Sequence, residues 1–286
     1  MVKKIIKWLL VAALAVLVVN LTYVGFIIYR AVYGKHVYET VAPTLPRDLN
    51  KPAILVFSKT NGFRDDDAVR AANAALATMA KSHGWSTFFT ENGATFNAND
   101  LNRFQATVWN NTSGDVLTAD QKQAFRSYIE NGGGFVGIHG AGGDPRYEWR
   151  WYVDTLLGAE FKGHTLNPQF QLAVIHIADP SDPIVQGIPL NWTRTDEWYS
   201  FEKSPRAPGF QVLATLDEKT YEPKMFWKDI RMGDHPIVWK HCVGKGRAFY
   251  SALGHSAATY SEPLHLDLLA GAIAWAAGTS GKSCPQ

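Results

Sequence analysis

Residues 53–58 read A-I-L-V-F-S, apolar at nearly every position. Side chains along a strand point alternately to opposite faces, so a half-exposed strand alternates apolar and polar residues. A short run without alternation suits a strand covered on both faces, at the centre of a parallel sheet. The pattern returns at 106–110 (A-T-V-W-N) and 135–138 (F-V-G-I). Between these runs lie helical segments. Residues 65–81 are alanine-rich with acidic residues first, where the helix dipole favours them. Gly84 ends that helix, and 85–89 reads as a second strand. Thr118 opens a helix over 118–130, with Gln121 three residues on as in a capping box. The alternation predicts a doubly wound α/β sheet. Further strands are expected at 170–177, 211–216, 236–241 and 247–251, and a last helix at 263–277. No second domain boundary is visible.

The N-terminus sets a different constraint. Lys3, Lys4 and Lys7 precede residues 8–29, which carry no formal charge. A helix of that length spans roughly 33 Å, enough for the hydrocarbon core of a bilayer. A cleavable signal peptide is the alternative, but its apolar region is shorter, about 15 residues at most. The expected organisation is therefore a transmembrane signal anchor at 1–35 and a proline-containing linker at 36–52. A folded domain follows at 53–278, with a tail at 279–286. Lysines before the span favour a cytoplasmic N-terminus and a periplasmic domain at a bacterial inner membrane. The net charge of +2, with no basic run interleaved with aromatics, argues against a nucleic-acid partner. Cys242 and Cys284 allow one disulfide in an oxidising compartment, although Cys284 lies in the polar tail.

In open α/β sheets the ligand crevice lies beyond the carboxyl ends of the strands. Arg64, Asn111 and His139 follow the first, third and fourth strands and would share that rim. Strand-turn-helix junctions with tight glycines present a Ser or Cys nucleophile in hydrolases. Here G-I-H-G-A places His139 at that point, which favours a metal ligand or a general base. His164, His235 and His255 also follow glycine closely, at the edges of apolar segments. With Glu197 they compose a set able to hold zinc or a similar divalent ion, His139, His164 and His235 being the metal candidates. The competing reading has each histidine bonding backbone in its own turn. His36, His83, His176, His241 and His265 are read as structural. Asp144, Asp196, Trp198 and Tyr199 complete the expected substrate-binding set with Asn111 and His255. Arg64 is expected to orient substrate oxygens, or else to pair with Asp65 or Asp66.

The stretches L-V-F-S-K-T-N-G-F-R (55–64), G-G-G-F-V-G-I-H-G-A (132–141), R-T-D-E-W-Y-S-F (194–201), M-G-D-H-P-I-V-W (232–239) and L-G-H-S-A-A-T-Y-S-E-P (253–263) resemble the ThuA-like domain family, named for trehalose utilisation. N-N-T-S-G-D-V-L (110–117) matches as well. The resemblance implies a flavodoxin-like sheet related to class I glutamine amidotransferases, without their cysteine. It implies that His139, His164, Glu197, His235 and His255 line one pocket, and it carries an association with disaccharide and keto-sugar breakdown. One departure stands out. The family usually reads G-F-R-H after the first strand, and this chain has Asp65 in place of the histidine.

The expected function is action on a sugar or keto-sugar by isomerisation or elimination, with His139 or Glu197 as the base and a metal or Arg64 stabilising the enediolate. A non-catalytic, membrane-tethered sugar-binding module and a metal-dependent hydrolase are the alternatives. Expected partners are a small carbohydrate and the membrane. An oligomer is compatible with the sequence.

Overall fold

Buried runs separated by helices give the sheet its order. In the computed structural model, which describes residues 2–33 and 37–284, the elements begin with α1 (Val2–Tyr33). The domain follows as β1 (Ala53–Phe57), α2 (Asp66–His83), β2 (Ser86–Thr90), α3 (Ala98–Leu101), β3 (Ala106–Asn110), α4 (Ala119–Glu130) and β4 (Gly134–Ile138). Then come β5 (Phe161–His164), β6 (Phe170–Ile177), β7 (Asn191–Glu197), β8 (Tyr199–Phe201) and β9 (Gln211–Leu216). The chain ends with β10 (Lys224–Met225), β11 (Lys228–Asp229), β12 (Pro236–Val243), β13 (Gly246–Ser251) and α5 (Pro263–Ala276).

Nine strands form one sheet in the order β2-β1-β3-β4-β13-β12-β9-β6-β7. The first five are parallel, and the remainder pair antiparallel. The order reverses between β1 and β3, so the switch point where such sheets bind ligands falls between the loops after these strands. Every residue of β1, β3 and β4 is buried, as their uninterrupted apolar runs require. Trp109 stacks at 5.1 Å on both Phe125 and Tyr152 and packs edge-on against Phe135. Each such buried ring contributes roughly 1.5–3 kcal/mol relative to exposure. The Thr118–Gln121 capping box forms as expected, and Asp65 caps α2.

Two features depart most from the sequence reading. First, β7 was not expected as a strand. Its buried positions include Trp192, Arg194 and Asp196, so its inward face is largely charged and the apolar alternation is missing. Second, the segment read as a linker lies fastened along the domain from Val37 onward. Asn61 Nδ2 donates to Val37 O (3.1 Å), Gln121 Nε2 to Glu39 O (2.8 Å) and Asn92 Nδ2 to Val41 O (3.0 Å). Lys59, 5% exposed, pairs with Glu39, and Leu45 joins the core. Its prolines keep the backbone extended, and the domain's side chains take up the carbonyls. The disulfide that the two cysteines allow does form, and Cys242–Cys284 pins the tail. Lys35 and His36 lie outside the described residues. Helix α1 holds a 26-residue apolar stretch, Lys4–Tyr29, exposed throughout and long enough to cross a membrane.

Candidate active site

His139 stands at the carboxyl end of β4 with φ at +44°, a left-handed backbone that costs a side-chain-bearing residue roughly 1–2 kcal/mol. Gly140 makes the turn feasible: a Cβ there would come within 3.1 Å of Asn111 O. Tyr250 donates its hydroxyl to His139 O (2.8 Å) and holds the turn. The ring is 2% exposed, and its Nδ1 faces Ala252 O at 2.7 Å. A carbonyl only accepts, so Nδ1 carries the proton and Nε2 turns forward with its lone pair.

Glu197, the last residue of β7, and His255, in the loop after β13, meet that nitrogen. His139 Nε2 lies 3.2 Å from Glu197 Oε2 and 3.0 Å from His255 Nδ1, and the latter two atoms are 3.0 Å apart. His255 Nε2 faces Asp65 Oδ2 at 3.4 Å. With the imidazole protons directed at Ala252 and Asp65, three lone pairs converge on one point. Positive charge must sit among them, as an extra proton or a cation. The triad has the donors to hold a metal ion. Separations of 3.0–3.2 Å match the edges of an octahedral face with metal–ligand distances of about 2.1 Å. The outer contacts to a carbonyl and a carboxylate are those that orient metal-binding imidazoles.

Electrostatics agree with that reading. Burial alone would raise the Glu197 carboxyl, yet the imidazoles of His139, His164 and His255 outweigh it and hold the group far below the usual carboxylate range. Burial would lower His164 and His255, but pairing with Glu197 prevails, and both are raised. The triad forms the floor of a cavity of about 420 Å³ walled by Phe63, Asn111, Phe161, Gln169 and Tyr199. A second hollow of about 520 Å³ between α2 and α5 has His83 and Asp267 in its lining, but no cluster of metal-ligand donors like the triad is found there among the described residues.

The other expected site residues divide. His164 reaches the pocket, with Nδ1 2.9 Å from Glu197 Oε1, on the outer side of the triad. Tyr199 packs its ring 4.0 Å from that of His139, and Asn111 (φ +51°) accepts from Gly140 N. His235 is placed elsewhere: Nδ1 pairs with Glu218 (2.8 Å) and Nε2 donates to Tyr199 O (2.7 Å), so both nitrogens are spent behind the pocket wall. Trp198 is core, its indole donating to Gln171 O. Asp196 is fully buried and accepts from the backbone N–H groups of Glu197, Gly254 and His255, fixing two triad residues instead of facing substrate. Arg64 pairs with Asp66 and Glu91, and Asp144 accepts from Arg146 N; neither lines the cavity. Phe63, which follows the first strand, lines it as its place at the strand end implies, whereas Phe161, Gln169 and Met225 line it without having been singled out. Gln169 donates to Glu197 from a loop whose sequence, T-L-N-P-Q, carries no recognisable signal.

Solved structures share this architecture. A ThuA-like protein of Bacteroides uniformis is 25% identical, with a TM-score of 0.68 over 82% of this chain and 95% of its own. A ThuA-like protein of Parabacteroides merdae is 20% identical, with a TM-score of 0.61 over 82% and 92%. A cytoplasmic protein of Salmonella typhimurium LT2 shares the fold at 12% identity, with a TM-score of 0.55 over 78% and 99%. No protein of curated function matches the sequence. The family model described as trehalose utilisation matches residues 53–276, the whole of the domain that carries the triad. The chain therefore belongs to the ThuA family.

Proposed function

We propose that the protein is a membrane-anchored enzyme that moves a proton next to the carbonyl of a keto-sugar, leading to isomerisation or elimination. A divalent cation held by His139, Glu197 and His255 assists. The observation that carries this reading is the meeting of three lone pairs within 3.2 Å on the floor of a cavity of small-ligand size. A bound divalent cation supplies a Lewis acid for a sugar oxygen. Glu197, held far down by its imidazoles, is a weak base and serves as an anionic ligand. His139 has one nitrogen committed to Ala252 and the other to the triad. His164 is the group left to carry the proton: it lines the cavity, its neutral imidazole takes the proton from the carbon beside the carbonyl and returns it, and its pairing with Glu197 makes it the stronger base. Tyr199, Phe63 and Phe161 give the apolar wall that a sugar's C–H face requires.

The anchor reading rests on the apolar helix α1. The disulfide favours a domain on the oxidising side of the membrane, as do the lysines preceding the span.

The test joins metal analysis of the purified chain to incubation with oxidised disaccharides in deuterated water. Bound divalent metal, lost in His255→Ala, and deuterium uptake beside the carbonyl are expected. Sugar binding without exchange would favour the non-catalytic module, and incorporation of solvent oxygen at a cleaved bond would favour the hydrolase. Protein that retains no metal and exchanges no deuterium ends the proposal.

A further inference from the structure

We infer that the mouth of the active-site cavity docks on the surface of the bilayer into which α1 inserts, so the site opens on the lipid headgroup layer. The inference rests on the anchor reading above.

Chain connectivity supplies the first argument. The apolar span of α1 ends at Tyr29, the helix at Tyr33, and the domain takes hold of the chain at Val37. Four residues reach at most about 14 Å. The point of attachment is beside the cavity. Asn61, which binds Val37 O, lies two residues before Phe63, and Phe63 lines the cavity. The next two residues of the strap bind loops on the same edge of the sheet: Tyr38 donates to Asp115, and Glu39 pairs with Lys59. The strap therefore leaves the membrane toward the carboxyl ends of the parallel strands. The opposite edge, where the β12–β13 turn carries Lys245, is farther from that attachment by the length of the sheet.

The distribution of exposed apolar side chains supplies the second. Among the described residues outside α1, the large exposed ones are Val37, Val41, Phe63, Phe170, Phe226 and Trp227, with Leu172 and Leu190 besides. Phe63 and Phe170 stand over His255, with ring centroids 6.3 and 5.3 Å from its ring. Phe226 and Trp227 cap the β10–β11 hairpin, whose Met225 lines the cavity. Trp227 is 91% exposed, although most of the domain's aromatic rings are packed inside. Exposed aromatic groups gathered around one opening mark an interaction surface. Aromatic rings favour the headgroup level of a bilayer, where an apolar body and water meet. A bilayer held within the reach of eight residues, four of them helical, is the partner this rim fits.

The test uses the full-length chain in vesicles of phosphatidylcholine and phosphatidylglycerol. Phe63→Cys, Trp227→Cys and, at the far edge, Lys245→Cys each carry a bimane label, the native cysteines being joined in a disulfide. Lipids brominated on their acyl chains are the quencher. Docking predicts quenching at positions 63 and 227 at least about twofold above that at 245, since interfacial side chains enter the headgroup–acyl boundary. Equal quenching at all three positions, or none at 63 and 227, overturns it. A rim label shielded from water yet indifferent to bromine shows a second copy covering the mouth, and overturns it too. Carbonate extraction separates the two readings. A chain that stays in the membrane while its rim escapes quenching refutes docking and leaves the anchor standing. A chain that washes off refutes the anchor, and docking with it.

Discussion

At the scale of single residues, the site is a problem in charge. Glu197 is 2% exposed and surrounded by three imidazoles, so its negative charge is what makes their positions compatible. Glu197→Gln keeps the shape and removes the charge. Activity is expected to fall by roughly 10²–10⁴-fold, with metal content falling alongside. His164 and His255 are raised by this carboxylate, so in the variant both should titrate at lower pH. The acid limb of the activity, set by protonation of His164, then moves to lower pH. Imidazole proton shifts followed by NMR check the titrations, and unmoved histidines would contradict the charge argument. Much of this was legible in the chain. Glycine before a histidine marks the edge of an apolar segment, and His139, His164 and His255 reach one crevice from such edges. His235 carries the same mark in G-D-H-P, yet its ring points behind Tyr199 to Glu218. Local sequence announces the turn but not the direction of the ring. Asp65 shows the converse. One of its oxygens caps α2, and the other faces His255.

At the scale of elements, the loop from β9 to β12 is clasped by Glu218. It accepts from Met232 N (2.6 Å) and Gly233 N (3.0 Å) and pairs with His235, which in turn holds the Tyr199 carbonyl. Burial would raise this carboxyl, but these bonds outweigh it and lower it to about 2. A depressed folded pKa gives stability that is present above the unfolded value of about 4.3 and lost as pH falls toward 2. Glu218→Gln should cost about 1.5–3 kcal/mol at neutral pH and flatten the acid limb of a melting-temperature profile below pH 4.5. An unchanged acid limb would show that the clasp contributes nothing. The core strands were readable because burial on both faces leaves an unbroken apolar run. Strand β7 was not, because an inward face built from Trp192, Arg194 and Asp196 resembles a polar loop. The strap over 37–52 was misread for a related reason: its backbone is satisfied by distant side chains such as Asn61, Asn92 and Gln121.

For the whole molecule, the Cys242–Cys284 bond closes a 42-residue separation and ties the tail to β12. Replacing both residues with serine is expected to cost about 2–4 kcal/mol, read as a lower urea midpoint; wild-type protein under reductant should match it. Equal midpoints would mean that the tail is held by other contacts. The ThuA architecture follows from the order of the parallel strands. The way this chain joins that domain to its apolar helix is a property of residues 37–52, where the family match has not yet begun. One consequence reaches beyond catalysis. Among the described residues, strand β7 ends the nine-stranded sheet with an unpaired outer edge, the kind of template on which other chains stack into aggregates. Arg194, Asp196 and Glu197 point their charges inward from that edge, and a foreign strand offering apolar side chains would find no matching face. The residues that set the triad in place thus also guard the protein's solubility, and neutralising Arg194 or Asp196 should expose the sheet to fibrillar self-association.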